Sequence, residues 1–140
     1  MSQMFYLSCK DSLRYFKFNS PSSFKVALPS YREFVGLWEC GVVSINLSFK
    51  GIKTKNIFLC CDLATNSYVR DRELPVLRSI PTFGNKWTSF DFSNIIYVPM
   101  SADQVNQIAV TVLDDNLKQI EFIDHNLSCV IHCRLCETKT

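Results

Sequence analysis

The longest apolar run in the chain extends from Gly36 to Leu47 and lacks a helical period. In an extended strand successive side chains point to opposite faces, so alternate residues from Leu37 to Leu47 would share one face, and those from Trp38 to Asn46 the other. Both faces are largely apolar. The pattern therefore predicts a central strand that either buries both faces or packs one face against a second sheet and the other against a partner.

Shorter apolar runs recur along the rest of the chain, with turn-forming residues between them about every ten residues. Strands are predicted at Met4–Cys9, Phe24–Leu28, Ile57–Leu63, Pro75–Pro81, Ile108–Leu113 and Leu127–Leu135, with shorter ones between 87 and 98. We expect one domain over residues 1–140. Its fold is expected to be all-β, an antiparallel, jelly-roll-like β-sandwich of about 8–10 strands.

Three local signals refine these boundaries. Pro29 is expected to end the strand at Phe24–Leu28 because proline lacks a backbone N–H, which makes Ser30–Val35 a connector. Ser101–Gln104 has the spacing of a capping box and predicts a short helix. A hairpin turn is predicted at 114–116, with Asn116 as the residue at positive φ.

Composition limits the classes of partner. The chain has 140 residues, 15 basic and 13 acidic, so its net charge of +2 requires neither nucleic acid nor an anionic membrane. Lys50, Lys53 and Lys55 indicate a solvated loop, and Tyr15–Phe18 a brief apolar patch. The first ten residues do not resemble a secretion signal, and no apolar run approaches the ~18 residues of a membrane span. The protein is expected to stay in the cytosol or nucleus.

Seven cysteines at irregular spacing are typical of reduced thiols that pack as small apolar side chains. Cys60 and Cys61 are adjacent and must point to opposite faces of a strand, which disfavours a disulfide or shared metal. Structural zinc at Cys129–Cys136 is the alternative. In a strand, however, Cys129 and Cys133 would face away from His132, so ligands would not converge. We expect no metal site and no cofactor.

Catalysis is also disfavoured by the residues present. The chain has only two histidines and four glycines, with no nucleophile elbow or glycine-rich phosphate loop. We therefore expect no catalytic residues and a non-enzymatic protein.

A polar segment at 64–74 carries Arg70, Asp71, Arg72 and Glu73, and is either a solvated loop or a partner-facing one. Arg78 stands alone among apolar neighbours and would either extend outward or pair with a carboxylate. Phe83 and Trp87 add aromatic surface near a loop at 82–86. These residues are the candidate interface, with core packing as the alternative for the aromatic side chains.

The order of motifs resembles a family of β-rich proteins encoded by Polinton (Maverick) elements and adintovirus-like genomes. In the first half of the chain, Phe5–Phe16 resembles the family motif FYLxLxSxxSxxYF, Phe24–Pro29 resembles FxVxLP, Gly36–Ile45 resembles GxWEVxLxEI and Cys61–Leu63 resembles CDL. In the second half, Val76–Pro81 resembles LLRxVP, Tyr97–Met100 resembles YVPV, Ile108–Phe122 resembles IxIxIxDDxGxxxxF and Ile131–Arg134 resembles LHFR. The match is collinear. Asn116 stands in place of the hairpin glycine, and Cys40 and Cys133 in place of larger apolar residues, as in a diverged or repurposed copy.

The resemblance implies a virion structural protein: a capsid-associated or vertex module that assembles with itself, as a trimer or pentamer, and with other capsid proteins. It would be assembled in the host cytoplasm or nucleus. Two alternatives stay open. One is a receptor- or glycan-binding attachment head, and the other is a host protein-interaction module domesticated from such an element.

Overall fold

The computed structural model describes residues 2–48, 55–82, 87–101, 103–122 and 126–136, with the backbone alone at 87 and 88. In these ranges the chain forms eleven strands and one short helix. They are β1 (Ser2–Ser8), α1 (Cys9–Ser12), β2 (Ser23–Glu33), β3 (Trp38–Ser48), β4 (Asn56–Cys61), β5 (Ser67–Val69), β6 (Arg72–Leu74), β7 (Val76–Pro81), β8 (Trp87–Asp91), β9 (Val98–Pro99), β10 (Gln104–Leu113) and β11 (Ser128–Leu135).

Two antiparallel sheets pack face to face around one apolar core. Sheet A has the strand order β1-β11-β3-β8, with β9 also paired to β3, and sheet B has the order β2-β10-β4-β7. The prediction of an all-β antiparallel sandwich is confirmed. The strand number exceeds the expected value of about 8–10 because the segment predicted as a loop at 64–74 contains the short β5–β6 hairpin.

Strand β3 lies inside sheet A, between β11 and β8, as the apolar run predicts. Its buried apolar side chains are Trp38, Cys40 and Val42, followed by Ile45 and Leu47. The inward-facing positions change from even-numbered to odd-numbered residues because the register with β11 shifts at Val43. This residue is extra relative to β11 and forms a β-bulge. Apolar residues that strict alternation assigns to two faces therefore enter one core. Within the chain the outer face of β3 is only partly covered, since Val43 and Ser44 are partly exposed and Asn46 is exposed.

Gly41 marks the place where the outer face of β3 is covered. A Cβ built on Gly41 would lie 2.6 Å from Cγ2 of Ile95 and 2.6 Å from the carbonyl oxygen of Ile96. The segment after β8 thus crosses directly over β3 at a residue without a side chain. It continues to Tyr97, whose hydroxyl shares a 2.7 Å hydrogen bond with Nδ1 of His132 on β11.

Replacing Gly41 with alanine is expected to destabilise the domain by about 1–3 kcal/mol, because the added methyl group meets backbone atoms that cannot rotate away. Urea denaturation followed by tryptophan fluorescence measures the change. Ser44→Ala on the outer face of the same strand is the control and should change stability by less than about 0.5 kcal/mol. Equal stability of Gly41→Ala and the parent would contradict the close crossing.

Pro29 does not end its strand, contrary to the prediction. β2 continues to Glu33, and the predicted connector from Ser30 is largely strand. The register between β2 and β10 passes from Ala27 paired with Gln107 to Arg32 paired with Val105. Residues 28–31 therefore lie opposite a single residue of β10 and form a wide irregularity. Because β2 is an edge strand, proline at this position removes no ladder hydrogen bond.

Two further local predictions are wrong. Gln104, expected in the first turn of a helix, begins β10. In the turn after β10, Leu117 has the positive φ of 61°, not Asn116. The carboxylate of Asp114 accepts hydrogen bonds from the backbone N–H groups of Asn116 and Lys118, at 2.8 and 3.0 Å. That side chain fixes the turn so that the left-handed position falls one residue later than expected.

Candidate functional site

The predicted interface residues Arg70–Glu73 lie in and beside the β5–β6 turn. The guanidinium of Arg70 donates a hydrogen bond to the carbonyl of Asp115, and Nη1 of Arg72 donates to the carbonyl of Leu117 at 3.1 Å. Both acidic residues of the segment are exposed. The arginines therefore fasten the hairpin to the turn after β10, which is a structural role that sequence could not reveal.

Arg78 lies on β7, an edge strand of sheet B. Its guanidinium carbon is 3.9 Å from the ring centroid of Phe92, and Nη1 donates to the carbonyl of Asn94 at 2.9 Å. Arg78 thus binds a ring and a main-chain oxygen. Phe83 lies outside the described residues, and so does the side chain of Trp87. The predicted set does not converge, because the hairpin arginines and Arg78 bind different segments.

A loop that the sequence prediction treated only as an apolar patch carries the most exposed ring described. We call residues 14–18 the aromatic loop; in it Tyr15 is 69% and Phe18 90% exposed. Arg14 lies 5.6 Å from the ring centroid of Tyr15, and Lys17 lies 5.3 Å from that of Phe18. A cleft of about 470 Å³ opens beside the loop. Exposed rings interleaved with cations can bind flat or anionic ligands by stacking and charge.

A cluster of polar and aromatic side chains lies on the outer face of sheet A. The guanidinium carbon of Arg134 lies 3.5 Å from the ring centroid of Tyr97, and Nε of Arg134 donates to Oε1 of Glu39 at 2.6 Å. The Tyr97 ring also meets the imidazole of His132 edge-on, with 5.8 Å between centroids. These groups satisfy one another and hold the crossing segment on sheet A, so their first role is structural.

The aromatic residues divide between core and surface. Trp38 is buried and its ring meets Phe34 edge-on, at 5.0 Å between centroids. Phe90 and Phe92 stack on each other at 5.8 Å and pack against the core. Phe90 and Phe92 therefore lie near the core, whereas Tyr97 lies on the outer face of sheet A, against His132 and Arg134. The strongly exposed rings are other ones, on β1, the aromatic loop and β5.

All seven cysteines are free thiols, and six of them are buried. The prediction for β11 is confirmed in its geometry, because Cys129 and Cys133 point into the core while His132 contacts Tyr97 on the outer face. Burial raises the pKa of Cys129 and of Cys133 to about 12. Such thiols stay protonated near neutral pH, so they are poor nucleophiles and poor metal ligands.

Cys136 is the partly exposed thiol, and we expect it to be the first to react with iodoacetamide in the native protein. Desolvation raises its pKa, as does the nearby Glu39. Alkylation should therefore be slow at neutral pH and accelerate as the pH rises, because the thiolate is the reactive form. Intact-mass spectrometry should find a single adduct before unfolding. Cys136→Ser is the control, and rapid multiple labelling of native protein would contradict the burial of the other thiols.

Among the described residues, no group of three or more His, Cys, Asp or Glu side chains could hold a metal ion. Within the same ranges, no helix is long and apolar enough to cross a bilayer. Lys50 and Lys53 of the predicted basic loop lie outside the described residues.

No protein-family model matches this chain, and no curated protein matches it either.

Proposed function

We propose that this protein is a non-enzymatic structural module of the viral kind, related to proteins of Polinton elements and adintovirus-like genomes, that acts by self-assembly. Its partners would be further copies and other capsid proteins, in a virion assembled in the host cytoplasm or nucleus. The observation that carries the proposal is the order in which the strands pair, together with the exposed apolar side chains. Fold alone does not assign function, so the exposed surface is a necessary part of the argument.

In the two main sheets the strands pair in nested order: the first strand pairs with the last, and later strands pair progressively inward along the sequence. β1 pairs with β11, β2 with β10, β3 with β8, and β4 with β7, all antiparallel. Rolling such a long hairpin into two layers brings β11 beside β3 and β10 beside β4, which are the other two pairs along the main paths of the two sheets. This order supports a jelly-roll assignment, an architecture that viral capsid domains share with lectins and cupins.

Exposed apolar side chains favour assembly over the other uses of this architecture. The largely exposed ones include Tyr6, Phe18, Val35, Leu37 and Tyr68. Aromatic residues are enriched in protein interfaces, where they bury much area at a low cost in side-chain entropy. The buried, protonated thiols offer no competing chemistry.

The experiment that tests the proposal is size-exclusion chromatography with light scattering on the full chain, over an about hundredfold range of concentration. We expect a defined oligomer, which the family resemblance places at three or five copies. A protein that stays monomeric at the highest concentration would contradict self-assembly.

A second candidate, a glycan- or receptor-binding head, is favoured by the aromatic loop with its adjacent cleft. Sugar rings stack on exposed aromatic side chains, and Arg14 and Lys17 would bind acidic substituents. A glycan array on the parent and on Phe18→Ser tests this. Binding that Phe18→Ser abolishes, and that Tyr68→Ser in β5 leaves intact, would support recognition. An array without any bound glycan would count against it.

A further inference from the structure

We propose that β1 is a self-association edge, at which β1 of one copy pairs antiparallel with β1 of a second copy across a two-fold axis. The pairing would join the two copies of sheet A into one continuous sheet. This inference rests on the self-assembly proposed above, but it expects two copies at this contact, not the three or five that the family resemblance implies.

The free edge of β1 can be identified from its pairing with β11. The backbone N–H of Cys9 donates to the carbonyl of Leu127 at 3.0 Å, in the same register that pairs Phe5 with Ile131. Hydrogen-bonded pairs alternate along an antiparallel ladder, so the odd-numbered residues of β1 bond to β11. The N–H and C=O groups of Met4 and Tyr6 must therefore point away from β11. Within the described ranges no other strand pairs with β1.

The other sheet edges carry features that discourage pairing. β2 has Pro29 and the wide irregularity at 28–31. β7 ends at Pro81, directly follows Pro75, and carries Arg78. β8 is shorter and ends at Asp91. Prolines, bulges, charges and short length are the devices by which natural sheets protect their edges. β1 has seven residues without a proline, glycine or charged side chain, so it lacks these devices.

The side chains of β1 alternate as a strand in an interface requires. Phe5 and Leu7 are buried, whereas Met4 is 45% and Tyr6 76% exposed on the outer face. Beside the edge lies an open cleft of about 660 Å³, lined by β1 and by 26–29 and Arg32 of β2. An added strand could therefore bond to the edge and lie over apolar side chains at the mouth of the cleft.

A second copy fits this edge in register. The outward-pointing backbone groups belong to even-numbered residues, so an antiparallel pair must match even with even. The arrangement centred on Phe5 opposes Met4 with Tyr6 of the second copy and Tyr6 with its Met4. Sulfur–aromatic contacts of this kind are favourable, and such cross-strand pairs stabilise sheets. The symmetry is that of an isologous dimer.

Charge and area are consistent with a second copy as the occupant. β1 places no like charges opposite each other, and a net charge of +2 per chain opposes association only weakly. Pairing the edge and covering both exposed side chains would bury on the order of 800 Å² in total, which is below the about 1,200 Å² of stable interfaces and in the range of weak, transient ones. We therefore expect a reversible dimer that depends on concentration.

The test compares Tyr6→Lys with Tyr68→Lys by sedimentation velocity over a range of concentrations. Tyr68 lies on β5 and is 79% exposed, so it matches Tyr6 in residue type, strand setting and exposure. Both copies lose the contact in Tyr6→Lys, so the dimer dissociation constant should rise about 100-fold, with little change in Tyr68→Lys. Oligomers that survive Tyr6→Lys would overturn the β1 contact and leave self-assembly standing. A parent protein that is monomeric throughout would overturn both.

Hydrogen exchange gives a readout that a general loss of stability would not reproduce. The amides of Met4 and Tyr6 should exchange quickly in dilute protein and become protected as concentration rises. The amides of Phe5 and Leu7 should be protected at both concentrations, since they bond to β11. Equal protection of Met4 and Tyr6 at all concentrations would overturn the inference.

The register can be tested by cross-linking in a Cys136→Ser background, where the remaining native thiols are buried. Oxidised glutathione should link a mixture of Met4→Cys and Tyr6→Cys chains into disulfide-bonded dimers faster than it links either variant alone. Thiolate attack on the glutathione disulfide, followed by exchange with the second chain, supplies the oxidising equivalents. Equal rates in all three samples would overturn the proposed register.

Discussion

Raising the pH from about 9 to about 11 under reducing conditions is expected to unfold this domain, each buried thiol contributing a loss of about 1.4 kcal/mol per pH unit. Burial raises the thiol pKa from 9.0 to about 11 in Cys9 and Cys60, and to about 12 in Cys40, Cys129 and Cys133. In that range the thiols are ionised in the unfolded chain but still protonated in the folded one. The unfolded state then binds fewer protons, so stability is present below the unfolded pKa and falls as the pH rises.

The five thiols act together, so the loss over about 1.5 pH units is on the order of 10 kcal/mol, comparable with the whole stability of a typical domain. Urea denaturation at a series of pH values, with a phosphine reductant present, measures it. Cys60→Ala removes one of these groups and should make the decline shallower by about 1.4 kcal/mol per pH unit. Stability that is unchanged up to about pH 11 would contradict the prediction.

Aspartate in place of either Val42 or Ile45 is expected to prevent folding. Both side chains are fully buried, on opposite sides of the bulge at Val43. An unpaired carboxylate in an apolar core costs several kcal/mol, a large part of the total of about 5–15 kcal/mol that holds a domain folded. Circular dichroism and thermal melts of the purified variants measure the result.

The two substitutions together test the bulge, because strict alternation would place one of these residues on the outer face. Ser44→Asp and Val43→Asp, at partly exposed positions on the same strand, are the matched controls and should fold. If either Val42→Asp or Ile45→Asp melts like the parent, the bulge at Val43 does not place both residues in the core.

Much of the fold follows from local sequence. The apolar runs identified the first part of β2, β10 and β11 as strands, and the run between the prolines at 75 and 81 identified β7. The position of each of these strands depends only on the residues of the strand itself and on those next to it in the sequence. Sequence patterns of this kind do not specify which distant strands pair, so the sheet order had to come from the structure.

The local errors share a physical cause. The bulge at Val43 and the irregularity at 28–31 arise from the register with β11 and β10, strands far away in the sequence. Pro29 looked like a strand end only because its place on a sheet edge could not be known. In the turn after β10, hydrogen bonds that the Asp114 carboxylate accepts from backbone N–H groups outweigh the preference of Asn116 for positive φ.

The candidate site was harder to predict than the fold. Arg70 and Arg72 looked free for a partner, but they bind carbonyl groups 45 residues away in the sequence. No local sequence pattern predicts such contacts. The aromatic loop, by contrast, had a readable signal: cations interleaved with aromatic residues at 14–18, without the period of a strand. The sequence prediction read residues 15–18 only as an apolar patch and did not consider the cations at 14 and 17 beside these rings.

The nested pairing of strands also determines how the chain can fold during synthesis. β1 leaves the ribosome before the other described strands, but its ladder partner among the described residues is β11, the last of those strands. Folds dominated by such distant contacts form slowly, in milliseconds to seconds, because long loops must close before any contact compensates for the lost entropy. Until β11 is made, β1 and one side of β3 lack the ladder partner that they have in the structure. A ribosome-stalled chain that ends before Ser128 should therefore remain dependent on chaperones.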